Sequence, residues 1–163
     1  MSKGPMSPDS TVRPLRLDDL ERIIAIDQAH TGHARRRFMA KRLSAAQRCA
    51  DDFILVGVER AGMLVGFALG RVLYGEFGRV EPVAVFDAIG VDPASQEHGY
   101  GHALMAGLLA AVRQKGVRQL HSQAEWTNHG LLKFFDSMGF TLARRVVLER
   151  STSEAMTEIG TDL

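Results

Sequence analysis

Ile89-Gly90-Val91-Asp92-Pro93-Ala94-Ser95-Gln96-Glu97-His98-Gly99-Tyr100-Gly101-His102-Ala103-Leu104 is the stretch that decides how this chain folds. An apolar run gives way to an Asp-Pro turn, then to a glycine-rich stretch, then to an apolar segment of helical period. The succession predicts strand, turn, loop and helix. A loop that opens a helix gathers several unpaired backbone N–H groups and the positive helix end around one point. A phosphorylated ligand fits there without a lysine.

Working outward, Val83 to Val91 is almost wholly apolar, as a central strand covered on both faces is. Asp87 alone interrupts it. Tyr100 to Gln114 carries Leu104, Leu108, Ala111 and Val112 at helical spacing, and Gly116 can end it. Val117 to Ala124 predicts a strand. Asn128 to Ser137 predicts a helix anchored by Leu131, Leu132 and Phe135 and ended by Gly139. Phe140 to Leu148 can supply one or two last strands.

Upstream, Val12 to Arg16 is a short edge strand, where Pro14 is best tolerated. Asp18 with Glu21 reads as a capping box, and Leu20, Ile23, Ile24 and Asp27 trace one helix face. Ala34 to Gln47 predicts a second helix with Phe38, Met39, Leu43 and Ala46 inward. Phe53–Glu59 and Met63–Val72 form a hairpin about Ala61-Gly62. The order β-α-α-β-β-β-α-β-α-β implies an α/β fold. Its hairpin and its crossover through 100–114 together require a mixed, mostly antiparallel central sheet flanked by helices.

With 163 residues, 45% of them hydrophobic, one domain over 11–150 can bury a real core. Residues 1–10 read as a flexible tail and 151–163 as a polar C-terminal tail. Twenty Lys and Arg against nineteen Asp and Glu leave a net charge of +1, so bulk charge gives no support to a nucleic-acid role. Cys49 is the single cysteine, which excludes an intrachain disulfide, and it reads as a half-buried helix residue. His30 and His33 near Asp27 fall short of a metal set, and no metal is expected. No apolar run approaches the roughly 20 residues a membrane span needs, so no membrane partner and a cytoplasmic location are expected.

Three glycine-bearing phosphate sites can be compared with the loop. A P-loop needs Lys-Ser/Thr after its last glycine, whereas His102-Ala103 follows Gly101. A dinucleotide fingerprint needs a third glycine and an early strand, and both are missing. Gln96-Glu97-His98-Gly99-Tyr100-Gly101 instead resembles the Gln/Arg-x-x-Gly-x-Gly/Ala loop of the GCN5-related N-acetyltransferase (GNAT) family. The strand Val83–Val91, its Val-Asp-Pro turn and the segment Asn128 to Phe140 are similar to the family's later elements. The likeness covers roughly residues 12 to 150.

The resemblance implies acetyl-CoA as co-substrate, its pyrophosphate held by backbone N–H groups from Glu97 through His98, Gly99, Tyr100 and Gly101 to His102, with Gln96 opening the loop. It also implies splayed parallel strands at the acetyl-CoA site, with main-chain groups of Ala88, Ile89 and Val91 facing the pantetheine arm. Asn128 matches the family asparagine on that arm, and an N-cap is its rival role. Phe135 stands where many relatives have a tyrosine whose hydroxyl serves the leaving thiolate. Phenylalanine can pack beside the thioester but has no proton to give.

Acetyl transfer to a primary amine requires removal of an amine proton and stabilisation of charge on the carbonyl oxygen. Alternation puts Asp87 on the face of Val83, Val85 and Ile89, as a base or amine-positioning group, or else as the structural partner of an arginine. Glu81 and Glu76 from the preceding loop, and Glu125 beside Trp126, are further candidates. His121 reads as a core or hydrogen-bonded histidine rather than a proton shuttle. Arg35, Arg36, Arg37, Lys41, Arg42 and Arg48 make the second helix basic, which suits an anionic acceptor or simply a solvated face. The expected partner is an amine-bearing small molecule or a protein or peptide, and exposed sheet edges allow a homodimer. The competing functions are a non-catalytic acyl-CoA sensor or interaction module and a DNA-binding module.

Overall fold

The computed structural model describes residues 6–153. Its strands are β1 (Ser10–Pro14), β2 (Phe53–Arg60), β3 (Met63–Leu73), β4 (Val83–Val91) and β5 (Leu120–His121). Its α-helices are α1 (Leu20–Thr31), α2 (Arg36–Arg48), α3 (Tyr100–Gln114) and α4 (His129–Ser137). One sheet runs β1-β2-β3-β4-β5, antiparallel except for the parallel β4–β5 pair. This is the mixed, mostly antiparallel sheet that the sequence implies.

Helices α3 and α4 cover one face, packing Tyr100, Leu104, Leu108, Val112, Phe134 and Phe135 on Val56, Val58, Ala84 and Phe86. Helices α1 and α2 cover the other, where Ile23, Ile26, Met39 and Leu43 meet Phe67, Leu69 and Ala88. Two separate apolar layers thus hold the sheet between them. The β2–β3 hairpin turns through Ala61 (φ 49°) and Gly62 (φ 78°), the paired positive angles of a type I′ turn.

Several expected boundaries move. Ser10, assigned to the tail, is the first residue of β1, and its hydroxyl meets the Tyr100 hydroxyl at 3.1 Å. The capping box is not Asp18 with Glu21. Asp19 accepts from the Arg16 N–H at 2.7 Å, while Glu21 faces solvent and pairs with Arg36. Cys49 lies just past α2 and is exposed, not half-buried.

The expected strand 117–124 shrinks to two residues. Val117 N–H closes the end of α3 on Val112 O, and beyond His121 a side chain bridges the gap instead of a ladder bond, with Ser122 Oγ 3.5 Å from Phe86 O. No strand forms over Phe140 to Leu148 among the described residues. Phe140 anchors on Phe135, but Leu142, Val146, Val147 and Leu148 stand in solvent, because so short a β5 gives them no edge to pair with. The tail segment beyond residue 153 lies outside the described residues.

One irregularity in β4 organises the site. Leu69 faces Ala88 and Gly70 faces Phe86, so Asp87 has no partner on β3 and forms a bulge. Phe86 then packs on the α3 side and Ala88 on the α1–α2 side, although strict alternation would put them on one face. Ile89 and Val91 return to the α3 side. Asp87 therefore does not share a face with Ile89.

Candidate functional site

The last residues of β4 run on without a strand beside them. β5 pairs only at Ala84 with Leu120 and Val85 with His121. Asp92 N–H donates to Val65 O at 2.8 Å, which fixes the phase of the β3–β4 ladder. Bonded and non-bonded pairs alternate in an antiparallel ladder. With Ala68 opposite Ile89 and Gly66 opposite Val91, the main-chain groups of Ile89 and Val91 turn to the open side.

The loop that follows is tightly turned and leaves its amides undonated. Asp92 caps its turn, accepting from Ala94 N–H at 2.9 Å, and Ser95 N–H bonds to Asp92 O. Glu97 (φ 68°) and Gly99 (φ 72°) both adopt left-handed backbone, which turns successive N–H groups inward. A non-glycine residue held at such an angle is a cost the fold bears for that geometry. The first intrahelical bond of α3 is Ala103 N–H to Gly99 O. Among the described residues, none of the amides from Gln96 to His102 donates to a protein acceptor.

Loop and strand edge open into one cavity of about 580 Å³. Of the expected ligand-binding residues, Ile89, Val91, Gln96, Glu97, Gly99, Tyr100, Gly101, His102 and Asn128 line it. Asn128 takes the capping role and also borders the cavity. Its side chain accepts from Leu131 N–H at 3.2 Å, capping α4, and the residue lines the cavity. His102 lines the cavity, while its Nε2 is buried with no hydrogen-bond partner.

Other expected residues fall elsewhere. His98 is exposed and stacks on Tyr100 instead of lining the cavity. The Tyr100 hydroxyl is sealed against Ser10. Phe135 packs edge-on against Phe86 at 5.6 Å and against Phe140 at 4.8 Å, and Phe134 is the ring in the cavity wall. Glu81 and Glu125 are exposed and lie outside the cavity walls, and so does half-buried Glu76.

Asp87 is held by arginines. Arg71 donates to both its oxygens at 2.7 and 3.0 Å, and Arg42 approaches to 3.2 Å. This clamp raises the Arg71 guanidinium above its ordinary value, against the opposing effect of burial. Asp27, 3% exposed, is likewise held by Arg35, whose guanidinium stacks with that of Arg42 on the Phe38 ring. Three of the arginines that make α2 and its approach basic are therefore spent on Glu21, Asp27 and Asp87.

The Acetyltransferase (GNAT) family model matches residues 18–140. The chain belongs to this family. A mycothiol acetyltransferase of Propionibacterium freudenreichii subsp. shermanii is 30% identical over 132 residues, covering 78% of this chain and 41% of that protein. The [ribosomal protein bS18]-alanine N-acetyltransferase of Escherichia coli is 25% identical over 134 residues, covering 82% of each. This GNAT chain spans less than half the length of the mycothiol acetyltransferases it matches. An aminoglycoside N-acetyltransferase AAC(6')-Iy solved in complex with CoA shares the fold at a TM-score of 0.75 and 20% identity, covering 91% of this chain and 98% of that one.

Within the GNAT fold, sequence reading missed the far wall of the cavity. His30 and Thr31 from the end of α1 and Gly90 on β4 form it. His30 Nε2 lies 2.6 Å from Val91 O, at the open edge of β4. Only Gly90 carried a signal, as a lone glycine inside an apolar strand: a Cβ there would stand 2.8 Å from Phe67 and 3.0 Å from Ile26.

A second cavity of about 410 Å³ lies at the edge of β5 and includes His121, Phe140, Arg144 and Arg145. Burial depresses the His121 imidazole, and Arg145 and Arg79 add to the effect. Among the described residues, no group of three or more His, Cys, Asp or Glu is placed to hold a metal ion.

Proposed function

We propose that the chain is an N-acetyltransferase that moves an acetyl group from acetyl-CoA to a primary amine. What carries the reading is the continuity of one cavity: six residues with undonated amides (Gln96, Glu97, Gly99, Tyr100, Gly101 and His102) at its α3 end and a strand edge with no neighbouring strand along its side. These groups fit a diphosphate followed by an arm of amides. Gln96 to His102 would hold the diphosphate, and the main chain of Ile89 and Val91 would pair with the arm. The bound thioester supplies an activated acetyl group.

The protein's own part is then binding, orientation and exclusion of water. Phe134, Leu131 and Ile89 give the cavity apolar walls, and a buried N–H donor at the strand edge is worth more to a charged oxygen there than in water. Cytoplasmic location and a homodimer belong to the same proposal.

Isothermal titration with CoA, acetyl-CoA and 3′,5′-ADP tests the binding half. A panel of amines, including sugar amines and a peptide with N-terminal alanine, tests transfer through thiol release and product mass together. CoA failing to bind would sink the proposal. A specific observation favours a second reading, a non-catalytic acyl-CoA-binding module: Phe135 has no hydroxyl, and its ring is buried against Phe86 and Phe140. Binding of CoA without thiol release across the panel would select it.

A further inference from the structure

We infer that Phe77 of one copy of this chain seats in the cavity at the β5 edge of a second copy, and reciprocally. This names a surface for the homodimer proposed above and does not depend on acetyl transfer.

The loop over 74–82 joins β3 to β4 and carries its aromatic ring outward. Phe77 is 99% exposed and Val80 97%. Phe77 also stands in left-handed backbone (φ 55°, ψ 37°), which a bulky L residue adopts only at a cost. Left-handed Gly75 and Gly78 flank it. Gly78 N–H donates to Gly75 O and Arg79 N–H to Glu76 O, which closes the turn. Backbone strain and a hydrated ring thus fall on one residue, and burial against a partner offsets the second.

A cavity that fits the ring opens beside this loop on the same molecule. Arg79 NH2 donates to Gln119 Oε1 at 2.9 Å, and Gln119 lines the cavity of about 410 Å³. Leu109, Leu120, Met138 and Phe140 give it apolar walls. A cavity of about 150 Å³ already accommodates benzene. β5 is the last strand of the sheet, so Leu120 and His121 have no strand on their outer side. Ring and cavity therefore share one surface. An isologous two-fold contact requires this, because each copy must offer what the other receives.

Charge selects a second copy as the occupant. Glu76 and Glu81 flank Phe77 on the loop, while Arg144 and Arg145 stand in the cavity wall. None of these four is in an ion pair among the described residues. Arg79, the loop's one cation, is turned inward to Gln119. Seating Phe77 brings an acidic loop to a basic wall at two equivalent places. Exposed Leu142, Val146 and Val147 extend the apolar surface beside that wall. Phe77 can bury about 150–250 Å², and these neighbours with Val80 carry the contact toward the roughly 800 Å² per partner of a standard interface. The cavity proposed for acetyl-CoA meets the other end of β4, at Ile89 to Val91, and stays open.

The test is sedimentation velocity on the full chain over a concentration series, with CoA affinity measured alongside by calorimetry. Wild type should dimerise. Phe77→Gly suits the left-handed angle, so it keeps the loop, and should raise the dimer dissociation constant at least about 30-fold. Glu76→Lys/Glu81→Lys and Arg144→Glu/Arg145→Glu should each be monomeric alone. Mixed together they should form a heterodimer, since opposite charges then meet at both places. A monomeric wild type would overturn the inference, as would Phe77→Gly or charge variants that self-associate like wild type. Charge variants that stay apart on mixing would overturn it too. Failure of CoA to bind wild type would instead overturn the acetyl-transfer reading and leave this one standing.

Discussion

Arg71 grips both carboxylate oxygens of Asp87, Nε to Oδ2 at 2.7 Å and NH2 to Oδ1 at 3.0 Å, across the bulge in β4. The two residues sit on neighbouring strands, and the bulge turns Asp87 toward α2, where Arg42 closes on it from the third side. The acid that interrupts an otherwise apolar strand is thus a tie between α2, β3 and β4. Removing it leaves two guanidinium groups facing a half-buried vacancy. Asp87→Ala should cost about 3 kcal/mol in urea unfolding, and the double variant Arg71→Met/Asp87→Met distinctly less. A change under about 0.5 kcal/mol for Asp87→Ala would mean that the tie contributes nothing.

Gly99 holds φ at 72° immediately before α3, and the loop's inward amides depend on that angle. An L side chain there costs about 1–2 kcal/mol. Gly99→Ala should therefore lower the unfolding free energy by that amount and weaken CoA binding in calorimetry. Unchanged affinity would separate the loop from the ligand.

His102 Nε2 is buried without a partner. Such a group costs about 1–3 kcal/mol in a folded chain. His102→Leu should raise stability in the absence of ligand and weaken CoA binding. Opposite signs in the two measurements are the expected signature of an atom kept for a ligand.

Gly90 packs its Cα against Phe67 and Ile26, with no room for a methyl group. Gly90→Ala should destabilise by about 1–3 kcal/mol through overpacking. Because Gly90 also lines the cavity, CoA affinity should fall with it. Thermal unfolding and calorimetry on the same sample check both.

Asp19 supplies a pH dependence. Burial by itself would raise its carboxyl, but the bonds from Arg13 and from the Arg16 N–H overcome this and hold it below its ordinary value. A carboxyl lowered by folding stabilises the fold above its unfolded value, about 3.9, and loses that contribution as pH falls through the lower folded value. Asp19→Asn should cost about 2 kcal/mol at neutral pH. Its deficit against wild type should shrink as urea unfolding is carried below about pH 4, and a deficit independent of pH would contradict this sign.

How much was legible follows from how local each feature is. The hairpin over 53–73, the strand 83–91 and the helix 100–114 were readable because periodicity, turn residues and glycine placement are written within a few residues. The loop of undonated amides belongs to the same kind, since Gly99 and the free amides at a helix start are local properties of the chain. The helix over 36–48 was legible except at its ends, where Cys49 escapes into solvent.

What tertiary structure decided is everything that depends on register or on distant partners. A single unpaired residue in β4 moves Asp87 to the α2 side and returns Ile89 and Val91 to the cavity, and no period-2 reading can foresee a one-residue slip. His30 reaches Val91 across 61 positions of sequence, and Arg71 reaches Asp87 between strands. Strand 117–124 and the segment after Phe140 failed to extend because ladder bonds need a partner at the right spacing, which the diverging β5 withholds. The chain by itself therefore determined the family fold and the glycine-bearing loop with its undonated amides. Packing determined which acid is locked away, which ring faces the cavity and which histidine stands at the open strand edge.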